Sequence, residues 1–201
     1  SRPEVATGLA HEAAALRAVD HPAVVRLLDA DPADEPSWLV MTWVDGRPLS
    51  ALVRRPALAA SALWELAATL VDGLDALHRA GWAHGDVKAD NALLGPDGPV
   101  WVDLGSAHPL DRPASAALTP RHAAPERLAG TCDDATLSDA YSLGVVLYEL
   151  SIGHPAPDDA PRTAPLDPGS AVDPALRSLV RGLTEPDPAH RTSLAAAKRN
   201  L

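Results

Sequence analysis

Phenylalanine is absent from this chain, and cysteine and methionine occur once each, as Cys132 and Met41. A lone cysteine excludes an internal disulfide, and neither its flanks nor the eight scattered histidines give the spacing of a Cys/His metal site. Lysine occurs only at 88 and 198 in a chain otherwise rich in arginine, alanine and proline, so a lysine at a functional position stands out. There is no Lys/Arg cluster, and the net charge is −10, which speaks against nucleic acid or an anionic membrane as a partner. No apolar run approaches the roughly 20 residues needed to span a bilayer. The first residues lack the basic and apolar regions of a signal peptide, and the expectation is a cytoplasmic protein.

What is there suits one compact core: 201 residues, 46% hydrophobic and 22% charged. Leu9, Leu16 and Val19 fall on a helical period, predicting a helix over 9–20 that His21-Pro22 stops. Val24–Leu28 and Trp38–Val44 read as an antiparallel pair joined by an Asp/Pro-rich turn. Leu63, Leu66, Leu70, Leu74 and Leu77 mark a helix over about 58–80, ended by Gly81. Short apolar pieces between 84 and 105 resemble a loop followed by a hairpin. The most apolar helix is expected over 138–152, with Ser138 as N-cap and Gly153 as stop. Six prolines between 155 and 174 exclude a regular helix there, and short helices follow at 174–183 and 192–200.

One segment carries chemistry. In His84-Gly85-Asp86-Val87-Lys88-Ala89-Asp90-Asn91 a carboxylate, an ammonium and an amide stand at i, i+2 and i+5, and Asp103-Leu104-Gly105 begins twelve residues after Asn91. Taken singly, a loop aspartate is more often a turn former or helix cap. The ordered set resembles the catalytic loop and magnesium-binding tripeptide of the eukaryotic-type (Hanks-type) serine/threonine protein kinases, in a bacterial, actinobacterial style. That resemblance implies an α+β, protein kinase-like fold and transfer of the γ-phosphoryl of ATP, with Mg²⁺, to a protein hydroxyl. By it, Asp86 orients and deprotonates the substrate hydroxyl, Lys88 sits on the γ-phosphate, and Asn91 with Asp103 holds the metal.

The rest of the chain extends the likeness. Leu118-Thr119-Pro120-Arg121-His122-Ala123-Ala124-Pro125-Glu126 is similar to the family's Gly-Thr-Pro-x-Tyr-x-Ala-Pro-Glu, with Thr119 bridging the catalytic Asp and Lys. Ser138-Asp139-Ala140-Tyr141-Ser142-Leu143-Gly144 resembles the central helix, where Asp139 ties down the catalytic loop, and Arg191 is implied to pair with Glu126. Glu12 matches the helix glutamate that pairs with a phosphate-holding lysine. Leu16, Leu27, His84 and Leu104 fall where four side chains stack between the lobes. Met41 falls at the gatekeeper, Thr42 to Val44 at the adenine-binding hinge, and Leu93 at the floor beneath the adenine ring. On this reading residues 1–44 are a partial N-lobe and residues 45–201 the C-lobe.

Three departures qualify the resemblance. A Gly-rich hairpin and a Val-Ala-x-Lys strand cannot fit in the eleven residues before Glu12, so a piece of a longer polypeptide is expected, its N-lobe completed by an upstream segment or a partner. The alternative is a pseudokinase or binding platform lacking the ATP-anchoring lysine. Gly85 replaces the arginine that binds an activation-loop phosphate in many kinases, although Ser106, Ser115 and Thr119 are candidate phosphoacceptors. His-Gly-Asp also occurs in small-molecule phosphotransferases, a further alternative from which the Ala-Pro-Glu segment points away. The proline-rich stretch 153–174 replaces a substrate-docking helix.

Overall fold

The computed structural model describes residues 2–53, 58–112, 119–158 and 161–201, with side chains described from Gly8 onward. Ser115 and Leu118 lie outside the described residues. The order is α1 (Arg2–Ala18), β1 (Leu27–Asp31), β2 (Trp38–Met41), β3 (Arg47–Pro48), α2 (Ala60–Arg79), β4 (Trp82–Ala83), β5 (Ala92–Gly95) and β6 (Gly98–Trp101). It continues through β7 (His108–Pro109), α3 (Pro125–Leu128), α4 (Ala135–Ile152), α5 (Pro174–Leu183) and α6 (Leu194–Lys198).

The helical body forms because α2 has one apolar face and α4 is apolar nearly all round. On α2, Leu63, Leu66, Leu70, Leu74 and Leu77 are buried, as the spacing predicts. Helix α4 buries every residue from Ser138 to Ser151 and is the centre of the core. Its only way to lie close to α5 is without a side chain at Gly144, where a Cβ would come within 2.7 Å of Leu183 and Thr184. Gly73 does the same for α2 against Trp101, whose indole N–H donates to the Leu70 carbonyl at 3.0 Å.

The smaller part is an antiparallel pair, β1 and β2, beside α1, as expected. Several boundaries differ from the sequence reading, among them the end of β2, at Met41 instead of Val44. Helix α1 begins at Arg2 instead of residue 9. Strand β1 starts three residues later than predicted, because Val24 and Val25 are drawn onto β6. Val24 bridges Trp101, Val25 N–H donates to the Trp101 carbonyl (2.9 Å), and Trp101 N–H donates to the Ala23 carbonyl (2.8 Å). Ser138 is not the N-cap of α4; Asp134 is, its carboxylate accepting from Thr136 and Leu137 N–H, and the helix opens three residues earlier. Gly153 closes α4 in the left-handed conformation (φ 74°), as placed from sequence.

A second, smaller apolar cluster joins the two parts: Leu16, Val24, Val25, Leu77 and Leu104, with Leu27, Met41 and Val44 against them. Three of the four residues expected to stack between lobes lie in it. The fourth, His84, is fully buried and edge-on to Trp101, 5.4 Å between ring centres. The 84–105 stretch is a loop followed by the β5–β6 hairpin. Among the described residues of 153–173 no helix forms.

Candidate active site

The 84–91 loop leaves β4 and turns sharply. Gly85 has φ 79°, and a Cβ there would meet the Ser106 carbonyl oxygen at 2.5 Å, so only glycine fits. Its backbone is pinned from α4: the Asp139 carboxylate accepts from His84 N–H (2.7 Å), Gly85 N–H (3.0 Å) and His78 Nε2 (2.9 Å). Burial pushes the Asp139 carboxyl up, but its His78 and His84 partners outweigh that and hold it below the usual range. Burial holds the His84 imidazole below its ordinary 6.5, with Asp139 pulling the other way. Asn91 closes the loop, its Nδ2 donating to the Asp86 carbonyl at 2.9 Å and lying 3.3 Å from Asp86 Oδ2.

Asp86 is the centre of the cluster. Thr119 Oγ1 donates to its Oδ1 at 2.8 Å, and Lys88 Nζ donates to Oδ2 at 2.5 Å. Lys88 also reaches Thr119 Oγ1 at 3.4 Å. Half-burial raises the Asp86 carboxyl, but the Lys88 and Thr119 hydrogen bonds win, so it is held below the usual carboxylate value and ionised at neutral pH. The structure therefore gathers Asp86, Lys88, Asn91 and Thr119, four of the residues singled out from sequence.

Asp103 lies nearby on an exposed bend. Its φ of 58° is left-handed, a conformation that costs a non-glycine residue about 1–2 kcal/mol, somewhat less for aspartate. Gly105 N–H donates to its Oδ1 at 3.3 Å, and Leu104 between them is fully buried. Glu12 reaches the tripeptide from α1, its Oε1 accepting from Leu104 N–H at 3.2 Å. Burial and the neighbouring Asp103 charge raise the Glu12 carboxyl, opposed by that backbone donor. The donor set of Asp103 carboxylate and Asn91 carbonyl oxygen is all oxygen, which suits a hard divalent cation.

The wall opposite is anchored by a buried ion pair. Arg191 Nη1 meets Glu126 Oε1 at 2.5 Å and Nη2 meets Oε2 at 2.9 Å, as expected. The other guanidinium donors reach the carbonyls of Leu137, Pro186 and Glu185, and the group sits 4.9 Å over the Tyr141 ring. Ser138 donates to Glu126 Oε1 at 3.1 Å, which explains why it faces inward from α4 instead of capping it.

At the hinge, Met41 and Val44 are half-buried in the cluster between the parts. Thr42 N–H is bonded to the Arg26 carbonyl and the Val44 carbonyl to Gly46 N–H, both at 2.9 Å. Among the described residues, the Thr42 carbonyl and the Val44 N–H have no backbone partner. Leu93 is half-buried in β5, opposite Pro48 and Val100.

Residues 2–200 match the family described as the protein kinase domain. The chain belongs to that family. Serine/threonine-protein kinase Pkn1 of Myxococcus xanthus is 32% identical over 98% of this chain and 32% of its own length. Serine/threonine-protein kinase PknB of Mycolicibacterium smegmatis is 32% identical over 94% of this chain and 34% of its own. The probable serine/threonine-protein kinase PkwA of Thermomonospora curvata is 38% identical over 72% and 20%. The kinase domain thus spans a fifth to a third of the length of these relatives. The bacterial, eukaryotic-type kinase resemblance and the α+β fold hold.

Sequence reasoning missed several contacts of this kinase domain. The Ser138–Glu126 bond was hidden by the capping reading, and a buried His122–Glu149 pair (3.1 Å) by the apolar character of α4. Nothing in their spacing, 12 and 27 residues, signals contact. No helix among the described residues is long and apolar enough to cross a membrane.

Proposed function

We propose that this chain carries the phosphoryl-transfer site of a serine/threonine protein kinase, with Asp86 as the group that accepts the substrate hydroxyl proton. The observation that carries this reading is the convergence of Lys88, Thr119 and Asn91 on one ionised carboxylate. Asp86 is preloaded with donors that keep it unprotonated and fix its direction, as positioning of an attacking hydroxyl requires. Lys88, beside it, is the cation for the transferring phosphate oxygens. Thr119 holds the outer wall onto the same carboxylate. Asn91 and Asp103 are the residues that would hold Mg²⁺, which, when bound, neutralises charge on the phosphates. The Thr42 carbonyl and Val44 N–H are the hinge groups for adenine, with Met41 beside them and Leu93 beneath the ring.

Completion of the smaller lobe is part of the proposal. Strand β2 pairs only with β1 among the described residues, and Leu28 (57% exposed) and Val40 (46%) stand in water beside it. A two-stranded pair with an open edge and exposed apolar side chains is marginal alone. An upstream segment or a partner that adds a strand there would cover both.

A second reading, a binding platform, would follow if no lysine elsewhere in the full-length protein reaches Glu12. The chain's lysines are Lys88, on Asp86, and Lys198, on Asp72. Mg²⁺-dependent ATP binding and autophosphorylation, measured on this chain and on its full-length parent with Asp103→Ala beside each, decide between them. Activity in the parent, lost on Asp103→Ala, is expected; absence of Mg²⁺-ATP binding in the parent would leave the platform.

A further inference from the structure

His122 occupies the place where the family motif has tyrosine, and the phosphoryl-transfer reading makes no use of it. Both it and Glu149 are buried, Glu149 on an otherwise apolar stretch of α4 (3% exposed). A carboxylate in such surroundings is costly unless each oxygen is satisfied. Here Oε2 meets His122 Nε2 at 3.1 Å, and Oε1 accepts from Ala156 N–H at 2.9 Å. Against an ionised carboxylate, which can only accept, Nε2 is the donor.

The backbone of His122 is held as firmly as its ring. Ser142 Oγ donates to its carbonyl at 2.9 Å, and Arg162 Nη1 donates to the preceding carbonyl of Arg121 at 3.0 Å. The N–H groups of His122 and Ala123 both donate to the Thr119 carbonyl at 3.0 Å. Thr119 in turn donates its hydroxyl to Asp86 Oδ1 at 2.8 Å. A continuous run of hydrogen bonds therefore leads from Glu149 through His122 and Thr119 to Asp86. Between this wall, the 84–91 loop and α4 is a small, partly open pocket lined by Asp86, Thr119, His122 and Ser142 among others, with about 10 Å³ of room, enough for about one water.

We infer that His122 is a positioning residue: anchored on Glu149, it fixes the Thr119 carbonyl and thereby the angle at which the Thr119 hydroxyl meets Asp86. For its kinetic consequence the inference rests on the kinase reading; for its structural consequence it does not. A stabilising role alone would be met equally by any side chain that fills the site. Positioning needs a donor at the place of Nε2. Glutamine puts its amide nitrogen there, whereas asparagine reaches only as far as Nδ1.

The test compares His122→Gln with His122→Asn and His122→Ala in the full-length protein. Amide hydrogen exchange at His122 and Ala123 is read against exchange in the core of α4, and kcat is separated from peptide KM. Exchange at the two wall amides is expected to rise about tenfold or more in His122→Asn and His122→Ala, with the α4 core unchanged. In those variants kcat is expected to fall tenfold to about a hundredfold, the scale of small misplacements in transfer geometry. His122→Gln should restore both to within about threefold. If His122→Ala does not fold, His122→Asn carries the comparison. Equal behaviour of the Gln and Asn variants, or unaltered wall exchange in His122→Asn, overturns the inference. A parent with no activity but with the expected exchange pattern would retain the anchoring and sink the kinase reading instead.

Discussion

Asp139 accepts the backbone N–H groups of His84 at 2.7 Å and Gly85 at 3.0 Å, so one carboxylate on α4 fixes a turn more than fifty residues earlier in the chain. Removing it leaves buried donors with no acceptor. Each such donor costs about 1–3 kcal/mol. Asp139→Ala is therefore expected to lose about 3 kcal/mol in urea unfolding, from the buried His84 N–H and the part-buried Gly85 N–H together. A loss under 1 kcal/mol would mean that water replaces the carboxylate.

Asp103 separates stability from function. Its left-handed backbone (φ 58°) is strained for any residue with a side chain. Asp103→Gly is expected to raise stability by up to about 1 kcal/mol while abolishing Mg²⁺-dependent ATP binding. Asp103→Ala should abolish binding with no such gain. Thermal unfolding and calorimetric titration with Mg²⁺-ATP check the two effects, and a Gly variant less stable than the Ala variant would rule out backbone strain.

Gly85 cannot be returned to the family's arginine. With φ 79° and the Ser106 carbonyl 2.5 Å from where a Cβ would stand, Gly85→Arg meets both a backbone and a packing penalty. Together these are expected to cost about 2–4 kcal/mol. A variant as stable as the parent chain in denaturant would show that the turn relaxes freely.

Acid should destabilise the fold in two stages. The folded His84 is held below its ordinary 6.5, so the unfolded chain binds that proton first and stability falls as pH drops below 6.5. Asp86 and Asp139 are held below 3.8, so the stability they give is present above that value and lost as pH falls beneath it. Glu12 has the opposite sign: raised above 4.5 in the fold, it favours the native state at low pH and loses that contribution as pH rises. Unfolding free energy measured from pH 8 to pH 3 should slope downward first near the histidine value, and His84→Phe should flatten that upper slope. An unchanged slope in the variant would remove His84 as the cause.

Much of this was legible in the residues. The leucine stripe of α2, the Asp86–Lys88–Asn91 order and the Glu126–Arg191 partnership all followed from spacing or from motif likeness, because local period and short-range order are written directly in sequence. The boundaries failed where tertiary contacts competed with local preference. Val24 and Val25 have strand character, yet they pair with Trp101 and not within the hairpin. Ser138 is a good capping residue, but Asp134 is nearer the true start, and the Glu126 carboxylate claims the serine hydroxyl. His122 and Glu149 are unremarkable in their own neighbourhoods; only the packing of the wall onto α4 makes them partners.

The stitch of Ala23 and Val25 onto Trp101 makes a fulcrum of the segment between α1 and β1. Both arms, α1 on one side and the β1–β2 pair on the other, leave from a point fastened to the helical body. A tilt of α1 about that point is the motion this attachment would allow. Glu12 stands six residues before the end of α1, a lever of about 9 Å within the helix at 1.5 Å per residue. A tilt of about 10° would carry that position about 1.5 Å, enough to lengthen the present 3.2 Å bond to Leu104 N–H beyond hydrogen-bonding range. If a segment covers the edge of β2 as proposed, its pull on these arms would register at the contact between Glu12 and Leu104 N–H, beside Asp103.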